Sequence, residues 1–291
     1  MQPNPSLVSN PAPFDISQAL RARKLTVGSW LQLSSPAAAE VLANVGFEWL
    51  GLDCEHTSAN AATVENICRA VYGRGPALMV RVQHCDTMEI RQALDVGAQG
   101  VIVPLVQSVE EARRAVAAAK YPPEGVRGYC FGRMNNWGVN FDDYARTANK
   151  KVAVVLMIES RAGVDNVDEI AAVPGVDGLF IGPYDLSGSY GVVGQMDHPH
   201  VMNGRRRVLD AARKAGIAAG IHLVRASEEV FQKAVEDGFT FVCLDGDIIF
   251  LDRAARQSFA FELPNTAPRD DSAAGIYTNG HGLRSPELAK A

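Results

Sequence analysis

The chain predicts a (β/α)8 TIM barrel from three observations: eight short apolar runs, amphipathic segments alternating with them, and a glycine recurring where a helix gives way to a strand. Eight such units in about 240 residues suit a closed barrel better than an open doubly wound sheet. Residues 1–22 open the chain with four prolines in the first thirteen positions and are expected to form a flexible tail. The barrel is expected over 23–262. Its first strand is read at 27–33, and Ser35 followed by Pro36 opens the helix after it, which Gly46 ends. Strands at 47–54 and 77–82 follow. Asp86 with Glu89 and Ser108 with Glu111 read as capping boxes flanking a strand at 100–106, with Gly97 closing the helix before that strand. A stretch at 121–150, punctuated by Gly, Asn and Pro, separates the fourth strand from the fifth at 152–159, and connections this long are usually functional. The sixth strand is read at 178–183, the seventh at 218–223 behind Gly216, and the eighth at 241–246 behind Gly238, with Ser227 capping the helix between the last two. Residues 263–291 lose the apolar period and are expected to form a second flexible tail.

Composition narrows the partners. With 28 Lys+Arg against 33 Asp+Glu the formal charge is −5, and no basic stripe suited to nucleic acid or an anionic membrane is present. The five cysteines are odd in number and include no CxxC pair, which argues against a disulfide framework or a zinc knuckle and for a reducing compartment. The N-terminal residues carry neither a basic region nor an apolar run of the kind that targets export, so a soluble, cytoplasmic protein is expected. No GxGxxG or Walker sequence follows the first strand.

In a barrel of this kind functional groups stand at the carboxyl ends of strands. The second run ends Asp53-Cys54-Glu55-His56, the third carries Arg81, the fifth ends in Glu159, and the sixth passes through Gly182-Pro183-Tyr184 to Asp185. Glu159 and Asp185 come from consecutive strands, and convergent carboxylates repel unless a proton or cation lies between them. Either each caps a helix or pairs with a nearby arginine such as Arg161, or together they take a hard divalent ion, Mg²⁺ or Mn²⁺, with sites left over for a chelating 2-oxo acid. His56, three residues after Asp53, is a candidate general base whose tautomer Asp53 would set; the alternative is a surface histidine. Arg81 sits within an apolar strand and needs an anion, supplied either by a structural partner such as Glu55 or by substrate. At the Gly182–Pro183 step the amides of Tyr184 and Asp185 are candidate ligand donors, unless the segment is an ordinary turn. Trp30 on the first strand either walls the pocket or fills the core.

These residues resemble the metal-dependent class II pyruvate aldolases of the aldolase/citrate lyase family. The resemblance runs from Lys24 to Arg256 and rests on Gly28-Ser29-Trp30, Gly46-Phe47-Glu48-Trp49, Asp53-Cys54-Glu55-His56, Val80-Arg81, Asp95-Val96-Gly97-Ala98, the 121–128 stretch, Ile158-Glu159-Ser160, and the run from Gly178 to Ser187. It implies a barrel that exchanges its eighth helix between subunits, a homohexamer, and a divalent ion, Mg²⁺ or Mn²⁺ with Co²⁺ also possible. It further implies Glu159 and Asp185 as metal ligands, His56 as acid/base, Asp53 as its partner, and Arg81 as the group that polarises the oxo oxygen. The implied reaction is reversible cleavage of a 4-hydroxy-2-oxo acid to pyruvate and an aldehyde through an enolate. No Schiff-base lysine is required, and no Lys falls within the expected strands apart from Lys151 and Lys150 beside the fifth.

Two positions depart from that pattern. Met157 stands where such enzymes often carry Gln, on the same inward face as Glu159. The long stretch carries Arg133 among bulky neighbours, a candidate for binding a second substrate carboxylate or a solvated loop arginine. Two other functions compete with the aldolase: a lyase acting on a CoA thioester, and a barrel that has lost catalysis and serves as a scaffold.

Overall fold

A computed structural model describes residues 13–259. Eight parallel strands close into a barrel in sequential order: β1 (Thr26–Leu31), β2 (Trp49–Asp53), β3 (Ala77–Arg81), β4 (Gly100–Val103), β5 (Ala153–Ile158), β6 (Gly178–Ile181), β7 (Ala218–Leu223) and β8 (Phe241–Gly246). Alternation along the strands splits the apolar residues into two cores. One fills the barrel with Trp30, Trp49, Met79, Ile102, Val155, Met157, Phe180 and Phe241, whose ring stacks on Trp49 at 4.1 Å. The other lies between the sheet and the surrounding helices and takes the intervening strand residues, such as Leu50, Val80, Val154 and Ile181.

The helix ends follow the sequence reading closely. Ser35, Ser108 and Ser227 each accept a hydrogen bond from a first-turn amide, and Ser108 with Glu111 forms a complete capping box. Gly46, Gly97, Gly216 and Gly238 all have positive φ, the left-handed conformation that lets the chain leave a helix and enter the next strand. The second expected box is half formed. Asp86 accepts from Met88 and Glu89, but the Glu89 carboxylate accepts from the amide of His84 rather than that of Asp86.

Several strands stop short of their expected ends, and each has a local reason. The fourth was expected to reach 106 but ends at Val103, because Pro104 has no N–H to donate and Leu105 turns to φ +52°. The fifth and sixth end before Glu159 and Gly182, which therefore stand clear of the ladder at the rim. The first ends at Leu31, because the amides of Gln32 and Leu33 turn away to the carboxylate of Asp247.

The expected N-terminal tail is corrected over its described part. Residues Ile16–Arg21 form a helix, capped by Asp15, that closes the amino end of the barrel. Ile16 and Leu20, four apart, insert into the inner core, while the Arg21 Nε donates to Asp177 at 2.6 Å. The rest of that tail and the C-terminal one lie outside the described residues. Leu20 is fully buried, so Leu20→Ala should cost about 2–5 kcal/mol of stability, read as a lowered urea or thermal midpoint. An unchanged midpoint would mean that the helix is not part of the cooperative unit.

Candidate active site

The carboxyl rim is organised around Arg81. Asp53 and Arg81 are direct neighbours in the β2–β3 register, and the guanidinium donates from Nε to Oδ1 at 2.9 Å and from Nη2 to Oδ2 at 2.6 Å. Arg81 also lies over the Trp30 indole, 4.8 Å from a ring centroid, with its Nη1 3.3 Å from Glu55. Burial alone would raise the Asp53 carboxyl, yet Arg81 and the amides of His56 and Glu55 hold it below the ordinary value. The pair is therefore charged on both sides, and the outer Nη hydrogens of Arg81 remain available to an incoming oxygen.

This corrects the role expected of Asp53 toward the His56 ring. Its Oδ1 accepts from the His56 backbone amide at 3.2 Å, fixing the loop, while its side chain engages Arg81. The His56 imidazole instead stands 62% exposed with Nε2 3.6 Å from Glu55. Sequence proximity suggested the wrong partner; the register across β2 and β3 supplies the right one.

Glu159 follows β5 into the rim and is buried. Its Oε1 accepts from the Leu105 amide at 2.7 Å, and its Oε2 fills the space that a β-carbon on Gly182 would need. Burial, opposed by the Leu105 bond and helped by the charges of Glu55 and Asp185, pushes its carboxyl up to about 7. Asp185 is exposed in the first turn of the helix Pro183–Ser189. Glu55 is pushed up as well, chiefly by burial, with Asp53 and Asp185 adding to the rise, and its Oε2 is buried without a hydrogen-bond partner. Glu55 and Asp185 thus add negative potential at Glu159, which a dication would relieve.

Among the described residues no three His, Cys, Asp or Glu side chains form a complete ligand set. An ion here would be held by Glu159 and Asp185, with water or substrate oxygens completing its shell, as a hard Mg²⁺ or Mn²⁺ allows. Gly182 is part of this arrangement, since a β-carbon there would overlap Glu159 Oε2. Gly182→Ala should therefore displace that carboxylate and lower metal-stimulated turnover by about tenfold or more. Activity equal to the parent, measured at saturating metal, would show that the contact is dispensable.

The remaining candidates divide. Trp30 is 3% exposed, belongs to the inner core and forms the floor beneath Arg81. Tyr184 is exposed, and its amide and that of Asp185 sit in a helical first turn, where no intrahelical acceptor is in reach. Met157 is buried in the inner core on the same face as Glu159, as alternation requires. Arg133 is at the other end of the barrel: it lies over Tyr72 at 5.4 Å and against Gly97, where helices return to strands. Asp95 is paired locally, accepting from Arg127 Nη2 at 2.7 Å, and this buried arginine packs on Tyr121. Leu105 and Gln32, whose Nε2 lies 3.4 Å from Asp53 Oδ2, are contributors that the sequence reading misses. Pro104 at a strand exit was the available signal for the first.

Fold and rim together define the class: a (β/α)8 enzyme with an acidic, arginine-anchored site at the strand ends. The chain belongs to the HpcH/HpaI aldolase/citrate lyase family, which it matches over residues 26–250. It is 41% identical over 239 residues to 4-hydroxy-2-oxo-heptane-1,7-dioate aldolase of Shigella sonnei, covering 81% of this chain and 90% of that one. It is 38% identical over 249 residues to 5-keto-4-deoxy-D-glucarate aldolase of an Enterobacter species (strain 638), covering 85% and 96%. The crystal structure of an HpcH/HpaI aldolase from Desulfitobacterium hafniense superposes with a TM-score of 0.81 at 31% identity, covering 88% of this chain and all of that one.

Proposed function

We propose that the protein is a divalent-metal-dependent aldolase that reversibly cleaves a 4-hydroxy-2-oxo acid to pyruvate and an aldehyde. The observation that carries this reading is the geometry of the rim, where a buried Glu159 carboxylate, held by the Leu105 amide, shares the strand ends with Arg81, itself locked in a fork on Asp53. Glu159 and Asp185 hold the ion, Mg²⁺ or Mn²⁺. When bound, that ion supplies Lewis acidity to the oxo acid.

The protein's own groups do the rest. Arg81, locked by Asp53 and seated on Trp30, donates to the oxo oxygen and stabilises negative charge that develops there. The amides of Tyr184 and Asp185, with Gly182 keeping side chains out of the way, receive the carboxylate of the oxo acid. His56, exposed at the mouth, exchanges the proton of the C4 hydroxyl as the carbon–carbon bond breaks or forms. No lysine lies in any of the eight strands, which supports enolate chemistry without a Schiff base.

The exchanged eighth helix and the hexamer belong to the same proposal. The helix Asp247–Ser258 buries only Asp247, while Ile248 and Leu251 are exposed along it, a surface suited to a neighbouring subunit. All five cysteines are free, which supports a cytoplasmic site of action, and no helix among the described residues is long and apolar enough to cross a membrane.

Deuterium exchange of the pyruvate methyl group tests this reading. Exchange is expected with Mn²⁺ and is expected to stop with chelator. Exchange that persists after complete chelation would overturn the metal dependence, and no exchange with any ion would favour a non-catalytic barrel. Exchange that requires a CoA thioester would favour the thioester lyase.

A further inference from the structure

His222 stands apart from the groups used above. It is the only imidazole on a barrel strand among the described residues, and it follows Ala218 and Gly220 on the inward face of β7 at the carboxyl end. Its ring meets the Trp30 indole edge-on, with centroids 6.3 Å apart, and Arg81 lies over the same indole.

A local irregularity in β8 fixes the state of this ring. The β1–β8 register passes from Gly28↔Cys243 to Trp30↔Gly246, so β8 carries one extra residue, and Asp245 there adopts φ +48°. The Asp245 side chain is held by the Arg225 amide and by Arg253 Nη1. Its carbonyl oxygen lies 2.9 Å from His222 Nε2. A carbonyl only accepts, so Nε2 carries the proton and Nδ1 keeps its lone pair. Nδ1 has no hydrogen-bond partner among the described residues. The charged groups acting on the ring are Arg81, Asp245 and Asp53; burial and Arg81 outweigh the two acids, hold it down at about 4 and keep it neutral at working pH.

A neutral acceptor at the barrel mouth selects for a donor. Pyruvate has no hydroxyl to offer, and its proposed contacts come from the β2, β3, β5 and β6 side. The β7 side is left for the other half of the substrate. We propose that His222 is a specificity-determining residue whose Nδ1 accepts a hydrogen bond from a hydroxyl on the aldehyde-derived half, so that the enzyme favours 2-hydroxyaldehydes over their deoxy counterparts. This rests on the aldolase reading and names its acceptor class. A site that hydrogen-bonds a substrate hydroxyl rejects the analogue lacking it far more strongly than an apolar pocket discriminates by size.

The test compares pyruvate addition to glycolaldehyde and to acetaldehyde in the metal-loaded enzyme, beside methyl-proton exchange of pyruvate alone. The parent should prefer glycolaldehyde in kcat/KM by about tenfold or more. His222→Leu should reduce that ratio to near unity with exchange unchanged, and His222→Gln, which returns an acceptor oxygen, should retain part of it. A ratio equal to the parent's in His222→Leu, or no preference in the parent, would overturn the inference while leaving the aldolase intact. Absence of pyruvate exchange in the parent would overturn both. Independently of any variant, long-range ¹H–¹⁵N spectra of the parent at neutral pH should report an Nε2–H tautomer for His222; an imidazolium or the opposite tautomer would also overturn the proposal.

Discussion

Glu159→Gln is expected to lower metal-stimulated cleavage by at least about 100-fold, because losing even the groups that orient metal ligands costs roughly 10–100-fold. The same change should leave the barrel intact. Gln retains an oxygen for the Leu105 amide and removes a charge that burial opposes. The sign of the accompanying stability change is fixed by linkage. A carboxyl raised to about 7 in the fold, against an ordinary 4.5, favours the folded state fully below 4.5 and loses that contribution as pH rises through 7. The metal-free Gln variant does not share this loss, so at pH 8 it should be at least as stable as the parent. Asp185→Ala should match it in activity. Undiminished metal stimulation in both variants would refute the ligand assignment.

Arg81→Ala should fail in two separable ways. Removing the donor to the oxo oxygen should reduce kcat by roughly 100- to 1,000-fold, as loss of a single stabilising donor does elsewhere. It also strands Asp53, which is fully buried and loses a bidentate partner, at a cost of about 3–5 kcal/mol in stability. Arg81→Lys keeps the charge without the fork, so it should recover part of the stability and little of the rate. Kinetics that separate kcat from KM, run beside urea unfolding, distinguish the two losses. A destabilised variant with an unchanged rate would make Arg81 purely structural.

The barrel was legible because its signals are local. A serine or aspartate opens each of several helices, a glycine of positive φ closes others, and the strands between are too apolar and too short to be anything else. The positions of the candidate residues were legible for the same reason, since Asp53 and Arg81 end their strands and Glu159 and Asp185 follow shortly after theirs. Their pairings were not. Asp53 lies three residues from His56 in sequence but beside Arg81 in the sheet, and register across parallel strands is a long-range property. Two further misreadings are topological. The prolines of the first thirteen residues obscured the Ile16 and Leu20 pair that closes the barrel. The 121–150 stretch joins a helix to the following strand, so it belongs to the amino end of the barrel, and Arg133 goes with it. The left-handed turn at Leu105 had only Pro104 to announce it.

Diffraction from crystals soaked with manganese and pyruvate, collected for anomalous signal, tests the central claim most directly. The expected result is a single strong peak within coordination distance of Glu159 and Asp185, with pyruvate completing the ion's shell and its oxo oxygen turned toward Arg81. A peak elsewhere, or the two carboxylates turned apart over an occupied pocket, would contradict it.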